Sequence, residues 1–140
     1  MNSSSPIIEE FLEQWHKVVA NRDLHGFHEL LEDNVSLNSP VSSKPITGRE
    51  TISFIFMALL TILDDFTYYR CADDGKNLFL EFSGKLKKHD KVFKIEGVDV
   101  FKISSSGKVA ELTVMMRPLT ALQEFATQMS AKLSSQGENK

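Results

Sequence analysis

Residues 92–103, VFKIEGVDVFKI, alternate like a strand, and that alternation constrains the chain more than any other feature. Successive side chains of a strand point to opposite faces. Lys94, Glu96 and Lys102 therefore share one face with Val98 and Val100. Phe93, Ile95, Gly97, Asp99, Phe101 and Ile103 share the other, which is the face a layer of helices would cover. One carboxylate, Asp99, stands in that apolar row.

A strand of this length needs neighbours, and the flanking sequence supplies them. Phe66–Ala72 is aromatic and extended, Asp74-Gly75 signals a turn, and Leu78–Leu86 follows. His89-Asp90 marks the next turn, Ser104–Gly107 another, and Val109–Met116 is a last strand. Short turns make these strands antiparallel neighbours. Upstream, Ser5 can cap a helix with Pro6 at its first position, running to about Asn21. Its stripe is Ile8, Phe11, Leu12, Trp15, Val18 and Val19, with His16 and Lys17 off it. Asp23 can cap a second helix carrying Leu24, Phe27, Leu30 and Leu31. Val35–Leu37 reads as a short extended piece. Thr47-Gly48-Arg49-Glu50 has the form of a capping box before a very apolar third helix to Leu63. Pro118 opens a final helix with Leu119, Leu122, Ala126, Met129 and Leu133 on one side. The fold class is thus α+β, with helices on one face of a curved, largely antiparallel sheet. Residues 1–133 form a single domain, and 134–140 form a flexible C-terminal tail.

Composition narrows the functional classes. The apolar fraction of 41% and charged fraction of 25% are ordinary for a soluble domain. A net charge of −3 gives no reason to expect nucleic acid as a partner. Lys85, Lys87, Lys88 and Lys91 flank one turn and read as a solvated edge. A single cysteine, Cys71, forbids an internal disulfide and reads as a small packed residue. With no secretory signal and no apolar run long enough for a bilayer, the expected location is cytoplasmic, with no membrane partner. His16, His25, His28 and His89 are scattered. His25 and His28 have ligand spacing but lack a third ligand, so no metal site is expected. No phosphate loop or nucleophile–histidine arrangement occurs, and no cofactor is implied. Arg49 reads as a structural partner for a carboxylate or for loop carbonyls. Arg117 can pin the terminal helix or meet an anionic ligand, with pinning preferred.

The element order is similar to that of the nuclear-transport-factor-2-like (SnoaL-like) α+β cone. The likeness rests on LEDNVSLNSP at 31–40, PITGRE at 45–50, VDVF at 98–101 and SGKV at 106–109, and spans roughly residues 6–118. This fold hosts isomerases, cyclases, epoxide hydrolases and non-catalytic proteins, so it implies a shape before an activity. The nearest enzymatic pattern resembles that of ketosteroid isomerases, which use an Asp base and an oxyanion hole of a Tyr and a protonated Asp. The resemblance places the protonated aspartate on Asp99, the oxyanion tyrosine on Trp15 and the base on Ser39. Two further pocket tyrosines fall on Leu31 and Phe56. A serine hydroxyl is far too weak a base for this chemistry. An indole N–H can donate a hydrogen bond, but from a different position. An epoxide-hydrolase pattern would need an Arg-x-Asp pair, and Glu81-Phe82-Ser83 stands near the corresponding strand instead.

The expectation is a cone that binds a small, largely apolar molecule, as a homodimer through the face bearing Val98 and Val100. Trp15, Leu31, Ser39, Phe56, Phe82, Phe101, Leu112 and Met116 would line the pocket, with Val114 sharing the face of Leu112 and Met116. Asp99 would give the orienting polar contact. The alternatives are an isomerase, cyclase or hydrolase using Asp99 as acid or acid/base, and a non-catalytic dimeric interaction protein. An inward Asp99 should titrate high and act as a neutral donor; otherwise it meets an arginine, a water or a helix N-terminus and is structural.

Overall fold

The structure, a computed structural model, describes residues 5–138. Helix α1 spans Pro6–Asn21, and Ser5 Oγ accepts from the Ile8 amide as its cap. Arg22 then turns left-handed at φ 50° and stops the helix, its guanidinium donating to the Leu60 carbonyl. Asp23 caps α2, Leu24–Leu30, by accepting from the Gly26 amide. Leu31 does not extend α2 as its spacing predicts. It begins β1, Leu31–Asn38, where it pairs with Val109 and is buried. Pairing with a distant strand overrides the local helical period there.

Strand β2 is only Ile46–Thr47, antiparallel to β1. The expected capping box does not form. Thr47 is held in β2 opposite Ser36, and the cap of α3, Arg49–Ile62, is Gly48 at φ 100° without a side-chain hydrogen bond. The sharp change from strand to helix needs that positive φ, which glycine adopts without steric cost. Arg49 pairs with Asp33 at 3.0 Å, as its carboxylate-partner reading expects.

Strands β3 (Asp64–Asp73), β4 (Asn77–Lys88), β5 (Lys91–Ile103) and β6 (Val109–Arg117) follow as antiparallel neighbours. Strand β6 also pairs with β1 in parallel, giving the mixed order β2-β1-β6-β5-β4-β3. Helix α4, Leu119–Glu138, runs beyond Leu133 into the stretch the sequence assigns to a tail, whose residues 139–140 lie outside the described ones. The sheet curls around the helices. In β5 the alternation holds: Ile95, Asp99, Phe101 and Ile103 are buried, while Lys94 and Lys102 are exposed.

Two side chains sit differently from expectation. Cys71 is exposed rather than packed, on β3 at the edge of the sheet. Arg117 pairs with Glu96, its cross-strand neighbour, at 2.6 Å and does not pin α4. Helix α4 is held instead by Lys88–Glu124 at 3.4 Å and by Gln128 donating to the Lys87 carbonyl. Among the described residues, no helix is long and apolar enough to cross a membrane.

Candidate functional site

Asp99 lies between Leu80 of β4 and Val114 of β6, in direct register with both. It is 1% exposed, so its carboxyl needs an internal partner. The partner is Tyr68, which stands on β3 opposite Phe82 and thus on the same inward face. Register shifts between Tyr68 and Arg70, an irregularity of the kind that re-aims side chains. The Tyr68 hydroxyl donates to Asp99 Oδ2 at 2.7 Å and accepts from the Trp15 indole N–H at 3.0 Å. A donor-only indole, a two-way phenol and a carboxylate thus form a directed chain from α1 through the sheet edge to β5.

Burial pushes the Asp99 carboxyl up to about 7, and the Tyr68 hydrogen bond opposes that rise. The Tyr68 phenol is itself raised well above its ordinary value, first by burial and then by the negative charge of Asp99. Near neutral pH, Asp99 is therefore balanced between carboxylate and neutral acid. The tyrosine is a half-buried residue whose hydroxyl end is enclosed.

Aromatic rings fill the surroundings of this chain. The Trp15 ring centroid lies 5.0–5.7 Å from those of Phe101, Phe27, Phe56 and Phe11. Phe66 lies 5.0 Å from Tyr68 and 5.1 Å from Phe82. Phe82 in turn covers Gly97, where an added Cβ would fall 2.4 Å from its ring and 2.4 Å from the Met115 carbonyl. The glycine in the row of β5 is required by that close approach.

The concave face is hollow elsewhere. A cavity of about 190 Å³ lies between β1, β6, α3 and α4, with Phe56, Val114, Met116, Phe125 and Met129 among its walls. Of the pocket residues singled out in the sequence, Ser39, Phe56, Val114 and Met116 line it. Trp15, Leu31, Phe82, Phe101 and Leu112 are packed in the core, and Asp99 belongs to the polar chain. The Ser39 hydroxyl accepts from the Val41 amide within its own turn. Tyr68 and the α4 wall were missed by sequence reasoning. The signal for Tyr68 was the inward alternation of Phe66 and Tyr68; that for α4 was the spacing of Phe125 and Met129. Among the described residues, no group of three or more His, Cys, Asp or Glu could hold a metal ion.

Helices wrapped on a curled six-stranded sheet, with a buried acid and a partly hollow interior, define the NTF2-like α+β class. The chain belongs to the SnoaL-like domain family, whose model matches residues 12–112. It is similar to a steroid delta-isomerase from Pseudomonas aeruginosa, with 30% identity, 96% of this chain and 97% of that one covered, and a TM-score of 0.86. An uncharacterized protein conserved in bacteria, of cystatin-like fold, from Silicibacter pomeroyi DSS-3 shares 25% identity over 91% of this chain and 88% of its own, at 0.84. A putative SnoaL-like polyketide cyclase from Jannaschia sp. CCS1 shares the fold, at 13% identity, 94% and 99% coverage and 0.72. No curated protein matches the chain.

Proposed function

We propose that this chain binds a small, largely apolar molecule in the cavity between α3, α4 and the sheet. The observation that carries the reading is the hollow itself, an apolar recess of about 190 Å³ in a face that is otherwise filled with side chains. Asp99, directly opposite Val114, is the buried polar group in register with that recess. Asp99 does not itself line the recess, so in this reading it stays engaged with Tyr68 and the ligand is held by apolar contact, in a protein of the cytoplasm. A thermal-shift screen with hydrophobic small molecules tests it, because a ligand of the native state raises the midpoint. The rise should vanish in Ala126→Phe, which fills the recess from α4. A broad apolar panel that leaves the wild-type midpoint unmoved would sink the reading.

A second reading is an isomerase, cyclase or hydrolase with Asp99 as acid or acid/base. Its support is an acid pushed up to about 7, together with the 30% identity to a protein named as a steroid delta-isomerase. Ser39 stands where that pattern places its base, so the proton acceptor would have to be Asp99 itself or a group of the substrate. The rate should then follow a limb near that value, and Asp99→Asn should abolish it. Turnover unaltered in this variant removes the reading.

The partner proposed for the outer sheet face is a second copy of the chain. Tyr69, Phe79 and Met115 are 49%, 37% and 52% exposed there, around half-buried Val98 and Val100. Light scattering should give a dimer mass that Met115→Lys converts to monomer; a monomeric wild type would refute it.

A further inference from the structure

The cavity's size and chemistry restrict what it can hold, granted the binding reading above. Its volume of about 190 Å³ falls between two general benchmarks. An apolar cavity of about 150 Å³ accepts benzene, whereas sites for drug-sized ligands run to about 300 Å³ and more. Among the described residues, the walls carry no charged side chain, and Ser39 and Ser130 bring the only side-chain hydroxyls. A charged ligand would leave water for a site with nothing to pair it.

The recess is partly open to solvent, with exposed Val41 on its rim, and is bounded elsewhere by its walls. Phe56 closes the inner end, edge-on to Trp15 at 5.2 Å and stacked on Phe27 at 5.6 Å. On the other side, Phe125 and Met129 project from α4 and are 4% and 9% exposed. That helix is seated rather than loose. Ala121 is buried, Glu124 pairs with Lys88 at 3.4 Å, and Gln128 donates to the Lys87 carbonyl at 2.9 Å.

We infer that this cavity selects an uncharged one-ring or short-chain molecule of about ten heavy atoms, and that Phe125 and Met129 set the limit. A four-ring steroid has roughly twice that number and would have to project out of the recess past these two side chains. The chain thus shares a fold and 30% identity with a protein named for steroids while its own hollow is cut to a smaller ligand. Phe125 and Met129 are specificity-determining residues in this account.

The test compares three probes by thermal shift and calorimetric titration: butylbenzene, 4-ethylbenzoate of nearly the same size, and progesterone. Wild type should bind butylbenzene at least about tenfold more tightly than either of the others. Phe125→Ala should bring progesterone affinity up by about tenfold or more. Phe125→Leu and Met129→Ala, which remove less volume, should show the same trend if Phe125→Ala fails to fold. Wild type binding progesterone as tightly as butylbenzene overturns the size limit but leaves the binding reading standing. Equal binding of 4-ethylbenzoate overturns the requirement for neutrality. If none of the three binds to wild type or to any folded variant, the binding reading fails and the inference falls with it.

Discussion

The two ends of the concave sheet face are built from the same kinds of residue and do opposite things. Around Trp15, rings pack edge to face at 5.0–5.2 Å and leave room only for the chain from Trp15 through Tyr68 to Asp99. Beneath α4, equally apolar side chains stand apart around about 190 Å³. Phe56 belongs to both, touching Trp15 with one edge and lining the hollow with the rest. The difference shows that composition does not decide whether a cone interior is solid. How far the facing side chains reach toward one another decides it, and one aromatic side chain, Phe56, stands at the border.

Mutation can break this comparison. The largest loss is expected for Trp15→Ala, which removes a fully buried ring and the donor to Tyr68. It should cost about 3–5 kcal/mol in urea unfolding. Met116→Ala, at the hollow end and half-buried, should cost under about 2 kcal/mol. Equal losses would mean the two ends are packed alike.

The next effect concerns pH. The Asp99 carboxyl is raised in the folded state from its ordinary 3.8 to about 7, so between those values the native state holds more protons than the unfolded one. Stability contributed by Asp99 is therefore intact below the lower value and declines as pH rises through the window, by an amount on the order of 4 kcal/mol. Asp99→Asn should flatten that part of the midpoint-against-pH curve while keeping an acceptor for Tyr68. A carboxyl carbon shift that titrates near the ordinary value would contradict the closed, dry character of this end.

The smallest of the three is Gly97→Ala. Its Cβ would press on the Phe82 ring and the Met115 carbonyl, each at 2.4 Å, and should lower stability by about 1–3 kcal/mol. If the variant is as stable as wild type in the same unfolding assay, the ring is less confined than the closed end requires.

Much of this molecule can be read before it is folded. The stripe of α1, the alternation of β5 and the turn signals at Asp74-Gly75 and His89-Asp90 are local, and each appears where its period or turn chemistry predicts. Asp99 stood out because a carboxylate in an apolar row needs an explanation. What was illegible depends on distant pairing. Leu31 leaves its helical period because Val109 lies beside it. Thr47 gives up the cap to Gly48 because β1 holds its backbone. Tyr68 becomes the partner of Asp99 only through the register of β3 on β4 and the width of β4 between them. The volume of the hollow has no local signature, since it is set by how far the side chains of β1, β6, α3 and α4 reach toward one another.

The tyrosine that answers the buried acid hangs from β3, the outermost strand of the sheet. A phenol holds a carboxylate more strongly than it holds a neutral acid. Ionising Asp99 therefore tightens the attachment of the rim, and protonating it slackens the rim. By reciprocity, peeling β3 away changes the readiness of the acid to give up its proton. Charge in the interior and fraying at the margin become two readouts of one equilibrium.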